Sequence, residues 1–96
     1  MGTRAVKPTV YPEQVGRMLR ACAAYREGDL AFEVFKAEVW RCACAIEACD
    51  ELDFREFLQC AEARLDMAQF GPESELGGQA AEVAREVAAE CARRLP

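Results

Sequence analysis

The stretch FEVFKAEVWRCACAIEAC, residues 32–49, determines the class of fold because its apolar residues recur in steps of three and four. That spacing draws one apolar stripe along about five turns of an α-helix. The stripe consists of Phe32, Phe35, Val39, Cys42, Ile46 and Cys49. Trp40, Cys44 and Ala45 lie off the stripe, so the helix is apolar on more than one side. We expect it to be the most buried helix or part of a dimer contact.

The residues before this stretch predict a first helix. Pro12 suits its first turn, because the N–H that proline lacks would have no helical partner there. Apolar residues then recur at helical spacing until Gly28, which is expected to end the helix. These residues are Val15, Met18, Leu19, Cys22 and Ala23. Asp29 follows and is expected to cap the amino terminus of the second helix.

A third helix is predicted to begin at Asp53. Glu56 lies three residues further on, which gives the spacing of a capping box. The predicted inner face comprises Phe54, Phe57, Leu58, Ala61, Leu65 and Ala68. A loop at residues 70–74, which contains a Gly-Pro pair, is expected to end this helix.

The fourth helix is expected at residues 79–94, because Gly77 and Gly78 delay its start. Its predicted inner face comprises Ala80, Val83, Ala84, Val87, Cys91 and Leu95. The connections are short, so neighbouring helices should run antiparallel. The sequence thus predicts an all-α protein with a single domain, an antiparallel up-down four-helix bundle at residues 12–96. A flexible N-terminal segment is predicted at residues 1–11.

Charge is unevenly distributed along the chain. Between residues 47 and 75, nine acids stand against two bases, Arg55 and Arg64, and the whole chain has a net charge of −5. Phosphate contacts need a basic face, so the charge speaks against nucleic acid and favours a basic protein as the partner. No apolar run of about 18 residues would span a membrane. The first twelve residues lack the apolar stretch of a secretory signal, so we expect a cytoplasmic location.

Six cysteines and the lack of histidine bear on possible chemistry. Neither a disulfide framework nor a zinc site matches the compartment and the cysteine spacing. Cys42 and Cys60 are expected to meet across the second and third helices. A thiol-lined bundle that binds a soft metal such as Cu(I) is an alternative, although we expect no cofactor. Without histidine the commonest general base is missing, so an enzyme is not expected.

The acidic residues supply the candidate binding site. Glu62 and Asp66 lie four residues apart on one side of the third helix, and such a like-charge pair destabilises a helix. Glu73 and Glu75 extend the charge into the next loop, where Phe70 offers an aromatic anchor. The candidate partner-binding residues are Glu62, Asp66, Glu73, Glu75, Phe70, Asp50 and Glu51.

Three stretches resemble the colicin D-type immunity proteins. Residues 25–35, YREGDLAFEVF, carry Tyr25, Leu30 and Phe35 at five-residue steps, similar to the first helix junction of that family. Residues 68–75, AQFGPESE, look like its aromatic-x-Pro-acid turn after the third helix, and EVAREV at residues 82–87 fits its final helix. The resemblance covers roughly residues 19–95. The chain departs from it at Ala68 and Gln69, where the family pattern has an acid before the aromatic residue.

The resemblance implies a small acidic inhibitor that blocks the active site of a basic, tRNA-cleaving toxin domain. Its acids would take the place of substrate phosphates, and Glu73 and Glu75 match the family's acidic turn. A phage-encoded inhibitor of a nucleic-acid-handling defence complex would share these features and is kept as a variant. The other alternative is a helical oligomerisation module, including a homodimer formed around Trp40 and Cys44.

Overall fold

The computed structural model describes residues 8–96, whose regular structure is entirely helical. Helix α1 spans Pro12–Arg26, α2 Phe32–Ala45, α3 Leu52–Gln69 and α4 Glu73–Arg94. A short 3₁₀ turn at Cys49–Glu51 leads into α3. Within this described part, no helix is both long and apolar enough to cross a lipid bilayer. Residues 1–7 of the predicted flexible segment lie outside the described residues.

The four helices form a ring in which each one packs against two neighbours. Helix α1 contacts α2 and α4, and α3 contacts the same two helices. Asp53 at the start of α3 bonds to Arg94 at the end of α4, whereas Arg64 further along α3 bonds to Glu86. The same reversed order between α1 and α2 is given by the contacts of Gln14 with Cys42 and Arg17 with Glu38. The predicted antiparallel up-down four-helix bundle is therefore confirmed.

The core is built from the apolar stripes that the sequence predicts. Phe35 is fully buried, and its ring stacks on that of Tyr25 with 4.6 Å between the centroids. Phe54 is also fully buried, with the guanidinium of Arg94 4.5 Å from its ring centroid. The other predicted inner residues that are buried are Val15, Met18, Cys22, Val39, Cys42, Ile46, Leu58, Ala61, Leu65, Ala68, Ala80, Val83, Ala84, Val87 and Cys91. Those only partly buried, yet packed against the core, are Leu19, Phe32, Phe57 and Leu95.

The end of α1 explains why Asp29 does not cap α2. Gly28 adopts the left-handed conformation, with φ of 84°. Its N–H donates to the carbonyl of Tyr25, and the N–H of Asp29 donates to that of Ala24. This pair of bonds is a Schellman motif that closes α1. Asp29 therefore belongs to the end of the first helix, and α2 begins only at Phe32, with no side-chain cap.

Helix α2 is shorter than the sequence predicts. It ends at Ala45, and Ile46 continues in an extended conformation. The hydroxyl of Tyr11 accepts hydrogen bonds from the N–H groups of Glu47 and Ala48, both at 2.9 Å. These two groups would bond within the helix if it continued, so Tyr11 favours its termination. Beyond this point Cys49 is exposed in the 3₁₀ turn, so the predicted stripe through residue 49 was wrong at its end.

The predicted capping box of α3 does not form. The helix begins at Leu52, its N-cap position is Glu51, and no side chain caps it. The carboxylate of Asp53 instead accepts a hydrogen bond from Arg94 at 3.1 Å. That bond lowers the pKa of Asp53. The acid at this position thus joins α3 to α4 and does not close the helix end.

Helix α4 begins at Glu73 and passes through both glycines, so its predicted start at Gln79 was wrong. Pro72 takes the N-cap position, and its carbonyl accepts the N–H of Glu75. Negative charge in a first turn favours the positive amino end of a helix, and Glu73 and Glu75 supply it here. The connection between α3 and α4 is consequently reduced to residues 70–72.

Residues 9–11 lie within the segment that is predicted to be flexible, and hydrogen bonds connect them to the bundle. Thr9 is 7% exposed, and its N–H donates to the carbonyl of Arg94 at 2.9 Å. Its hydroxyl donates to one carboxylate oxygen of Glu51 at 2.6 Å, and the N–H of Val10 donates to the other at 2.8 Å. We call Thr9, Val10 and Glu51 the clasp. It joins the start of α1 to the 3₁₀ turn before α3.

Candidate protein-binding surface

Glu62 and Asp66 are bridged by a lysine on the neighbouring helix. The Lys36 Nζ lies 3.0 Å from Asp66 Oδ1 and 3.4 Å from Glu62 Oε2. The hydrogen bond to Asp66, followed by the contacts with Glu62, raises the pKa of Lys36. Lys36 therefore reduces the repulsion between the two carboxylates, and the group keeps one net negative charge between α2 and α3. Asp66 keeps 49% of its side chain exposed and Glu62 only 23%, so Asp66 is the more available of the two.

The two acids after the turn are open to solvent. Glu73 and Glu75 occupy the first turn of α4 and are both exposed. The side-chain amide of Gln79 donates to Glu75 at 3.4 Å, one helical turn further on. These acids therefore help to start the helix and also place negative charge at this end of the bundle.

Two large apolar side chains stand among these acids. Phe70 closes α3 and is 82% exposed, and Met67, one turn before it, is 75% exposed. Asp66 and Glu73 flank the pair in sequence, and only three residues separate α3 from α4. We call the group Asp66, Met67, Phe70, Glu73 and Glu75 the α3–α4 turn surface. It combines the apolar contact area and the surrounding charge that are common in protein interfaces.

A cleft of about 530 Å³ opens between α3 and α4 beside this surface. Its lining residues are Arg64, Met67, Ala68, Gly71, Gly78, Gln79, Glu82 and Val83. Arg64 is held by Glu86 at 2.6 and 3.3 Å, and Glu82 is paired with Arg85. The charged groups at the cleft are thus paired with other helix residues, and its floor is apolar.

A second cleft, of about 280 Å³, lies on the other side of α3, against α2. Trp40 lines it and is 50% exposed, the largest apolar residue of α2 that faces solvent. The remaining lining residues are Glu33, Lys36, Ala37, Glu62 and Gln69. Together with Cys44, which is also exposed, Trp40 gives α2 the outward apolar character that the sequence predicts.

Asp50 and Glu51 are not part of the α3–α4 turn surface. They precede α3, whereas Phe70 follows it, and a helix of that length separates its ends by about 25 Å. Glu51 is 5% exposed and is engaged in the clasp, so its assignment as a partner-binding residue is corrected. Asp50 is exposed at the far end of α3. Asp66, Phe70, Glu73 and Glu75 thus lie at the same end of the bundle, near the α3–α4 turn, and Glu62 lies one helical turn before Asp66.

The cysteines divide into three buried and three exposed thiols, all of them free. Burial raises the pKa of Cys22 to about 12 and that of Cys42 to about 11. Burial, with the nearby Cys22 and Cys42, also raises the pKa of Cys91. Cys42 donates to the carbonyl of Gln14 at 3.8 Å, whereas Cys60 is exposed, so the predicted pairing of Cys42 with Cys60 is not found. Within residues 8–96, no three acidic, cysteine or histidine side chains are arranged to hold a metal ion.

We expect three thiols of the folded protein to react rapidly with a disulfide reagent such as dithionitrobenzoate. The thiolate is the reactive form, and the buried thiols are both protonated and shielded. The rapid group should be Cys44, Cys49 and Cys60, and the slow group should react only after unfolding in guanidinium. Absorbance counts the thiols released in each phase. Rapid reaction of four or more would show that the packing around Cys22, Cys42 or Cys91 is open.

Sequence reasoning missed several residues of this region. Met67 falls between Leu65 and Ala68 of the inner face, and that position predicts an exposed side chain, a signal that was available. The role of Lys36 had no local signal, because its partners lie on another helix. The sequence predicts that Gly78 delays the start of α4, whereas the helix continues through this residue and the cleft lies against it.

In comparisons with protein-family models, curated proteins and solved structures, nothing matches this chain.

Proposed function

We propose that this chain is an inhibitor that binds a basic nuclease domain through the α3–α4 turn surface. The observation that carries the proposal is the exposure of Phe70 and Met67, which lie between Asp66 and Glu73 in the sequence. Exposed aromatic and methionine side chains are enriched where proteins bind one another. Their acidic surroundings in a chain of net charge −5 select a basic partner.

The inhibition follows from charge and shape. A nuclease that cleaves RNA binds phosphates with basic groups, so its active site attracts carboxylates as well. Asp66, Glu73 and Glu75 would occupy the phosphate positions, while Phe70 would contribute apolar contact beside them. Complementary charge accelerates association, and the apolar contact slows dissociation. Bound in this way, the bundle excludes RNA from the site.

The resemblance to colicin D-type immunity proteins supports a tRNA-cleaving toxin as the target. The two residues at which the chain departs from that family occupy different environments. Ala68 is 6% exposed and belongs to the core, so an acid there would be buried, and Gln69 is exposed. Asp66 lies four residues before Phe70, on the same side of the helix, and supplies an acid next to the aromatic residue.

The structure supports the two alternatives, a Cu(I) site and a homodimer, to different degrees. A Cu(I) site would use thiolates, whereas burial keeps Cys22, Cys42 and Cys91 protonated at neutral pH. A homodimer through α2 would bury Trp40, which is half exposed in the single chain. The exposed Trp40 makes oligomerisation the second candidate.

The proposal is tested by charge reversal. The triple variant Asp66→Lys, Glu73→Lys, Glu75→Lys is expected to bind a colicin D-type catalytic domain about 100-fold more weakly than the unmodified chain, because it loses three contacts and gains repulsion. Titration calorimetry measures the affinity, and a tRNA-cleavage assay measures the inhibition. Circular dichroism establishes that the helices remain.

The matched control is Glu13→Lys, Glu27→Lys, Glu47→Lys, which changes the net charge equally at three exposed positions elsewhere. We expect it to slow association only by the long-range effect of charge and to retain inhibition. Equal losses in both triple variants would mean that the position of the acids is irrelevant. No inhibition by the unmodified chain would reject the proposed target.

A further inference from the structure

We propose that the cleft between α3 and α4 receives one large apolar side chain of the basic partner. The inference rests on the proposed function and adds the specificity of the contact to it. The occupant is a segment in which a tryptophan or similar residue is flanked by lysine and arginine.

The first argument is the shape and chemistry of the cleft. Its floor includes Ala68 and Val83, which are 6% and 2% exposed, and Met67 stands at its edge. Its volume of about 530 Å³ lies within the range of about 300–1,000 Å³ that ligand pockets occupy. An aromatic side chain fits this space with room for part of its backbone.

The second argument is the place of Gly78 on the wall of the cleft. A Cβ built on this residue would meet no atom within 4 Å, and its φ is not in the left-handed region. Neither crowding nor backbone conformation therefore requires glycine, although glycine weakens a helix interior relative to alanine. The lack of a side chain here leaves the space of the cleft open.

The third argument is the charge around the cleft. Arg64, the one base that lines it, is committed to Glu86, and Arg85 is committed to Glu82. Glu73 and Glu75 stand exposed in the first turn of α4, on the same helix as Gly78. A neutral ligand would make no use of these carboxylates. An apolar side chain with basic neighbours would fill the cleft and pair with the acids at once.

The test compares two seven-residue peptides of lysine and arginine, one with tryptophan and one with alanine at the centre. Binding is followed by amide and methyl chemical shifts of the protein in NMR titrations. For the unmodified chain we expect the tryptophan peptide to bind at least about ten-fold more tightly and to shift the signals of Met67, Gly78 and Val83. A ten-fold difference corresponds to about 1.4 kcal/mol.

The chain offers a matched pair of variants. Gly78→Leu places a side chain in the cleft, whereas Gly77→Leu places one in open space that does not line it. Both remove a glycine from α4, so both should fold at least as stably as the unmodified chain. We expect Gly78→Leu to bind the two peptides equally and Gly77→Leu to keep the ten-fold preference.

The outcomes separate the inference from the proposed function. The two peptides could bind the unmodified chain equally well and fail to bind the Asp66, Glu73, Glu75 triple variant. That result would overturn the inference about the cleft and would still support binding by the acidic surface. Failure of both peptides to bind at low salt would overturn both. Preferential binding of neutral N-acetyltryptophanamide over the tryptophan peptide, or a dimer that Gly78→Leu dissociates, would assign the cleft to another occupant and overturn the inference.

Discussion

Replacing Phe35 by alanine is expected to lower the free energy of unfolding by about 3–5 kcal/mol. The side chain is fully buried, and its ring stacks on Tyr25 with an angle of 10° between the planes. Alanine would lose this contact and leave a cavity between α1 and α2. Since a domain of this kind is stable by about 5–15 kcal/mol, the variant would lose much of its margin. Urea unfolding followed by circular dichroism measures the change.

Val34→Ala is the control for this experiment. Val34 is the preceding residue on α2 and is 47% exposed, so its truncation removes little buried surface. We expect the control to stay within about 0.5 kcal/mol of the unmodified chain. If Phe35→Ala lowered the free energy of unfolding by no more than this control does, the tight packing described between α1 and α2 would be contradicted.

Replacing Glu51 by alanine is expected to lower the free energy of unfolding by about 2–3 kcal/mol. The carboxylate accepts two hydrogen bonds, and its removal would leave the Thr9 hydroxyl and the Val10 N–H without their acceptor. Thr9 is 7% exposed, and an unpaired polar group at such a buried position is costly. Glu56→Ala, which removes an exposed acid from α3, should change stability little. A loss below about 0.5 kcal/mol for Glu51→Ala would show that the clasp contributes no net stability.

A double-mutant cycle isolates the bond within the clasp. Thr9→Val removes the hydroxyl that donates to Glu51 at 2.6 Å. Because the two side chains share this bond, the loss in the double variant should be smaller than the sum of the two single losses. Strict additivity would mean that the hydroxyl and the carboxylate act independently.

The sequence alone was sufficient for the helical class and for nearly every core position. Val39, Leu58 and Val87 are buried as predicted, because the local spacing of apolar residues indicates which side of a helix faces the core. The helix ends were predicted less well, since tertiary partners decide several of them. The Tyr11 hydroxyl accepts the N–H of Glu47 just beyond the end of α2. Arg94 donates to the carboxylate of Asp53, which was expected to cap α3. No local pattern carries those contacts.

The candidate site shows the same division. Phe70, Glu73 and Glu75 were predicted to lie together because only a few residues separate them. Glu51 looks like a surface acid in the sequence, and only the approach of Thr9 from 42 residues away makes it an internal acceptor. Similarly, Lys36 on α2 forms salt bridges with Glu62 and Asp66 on α3 and so reduces the repulsion that the sequence predicts between them. Long-range pairing of charges is what the sequence could not supply.

The clasp also bears on how long the folded state lasts. It connects Thr9 with Glu51 and with Arg94, so its bonds form only after distant parts of the chain have assembled. Contacts made late in folding hardly alter the folding rate, and they slow unfolding instead. We therefore expect the clasp to slow opening at its end of the bundle, whereas the backbone of the turn at residues 70–72 is closed by local hydrogen bonds with Met67, Ala68 and Glu75. That asymmetry places the more easily adjusted backbone at the apolar and acidic end, which is the end that we propose binds a partner.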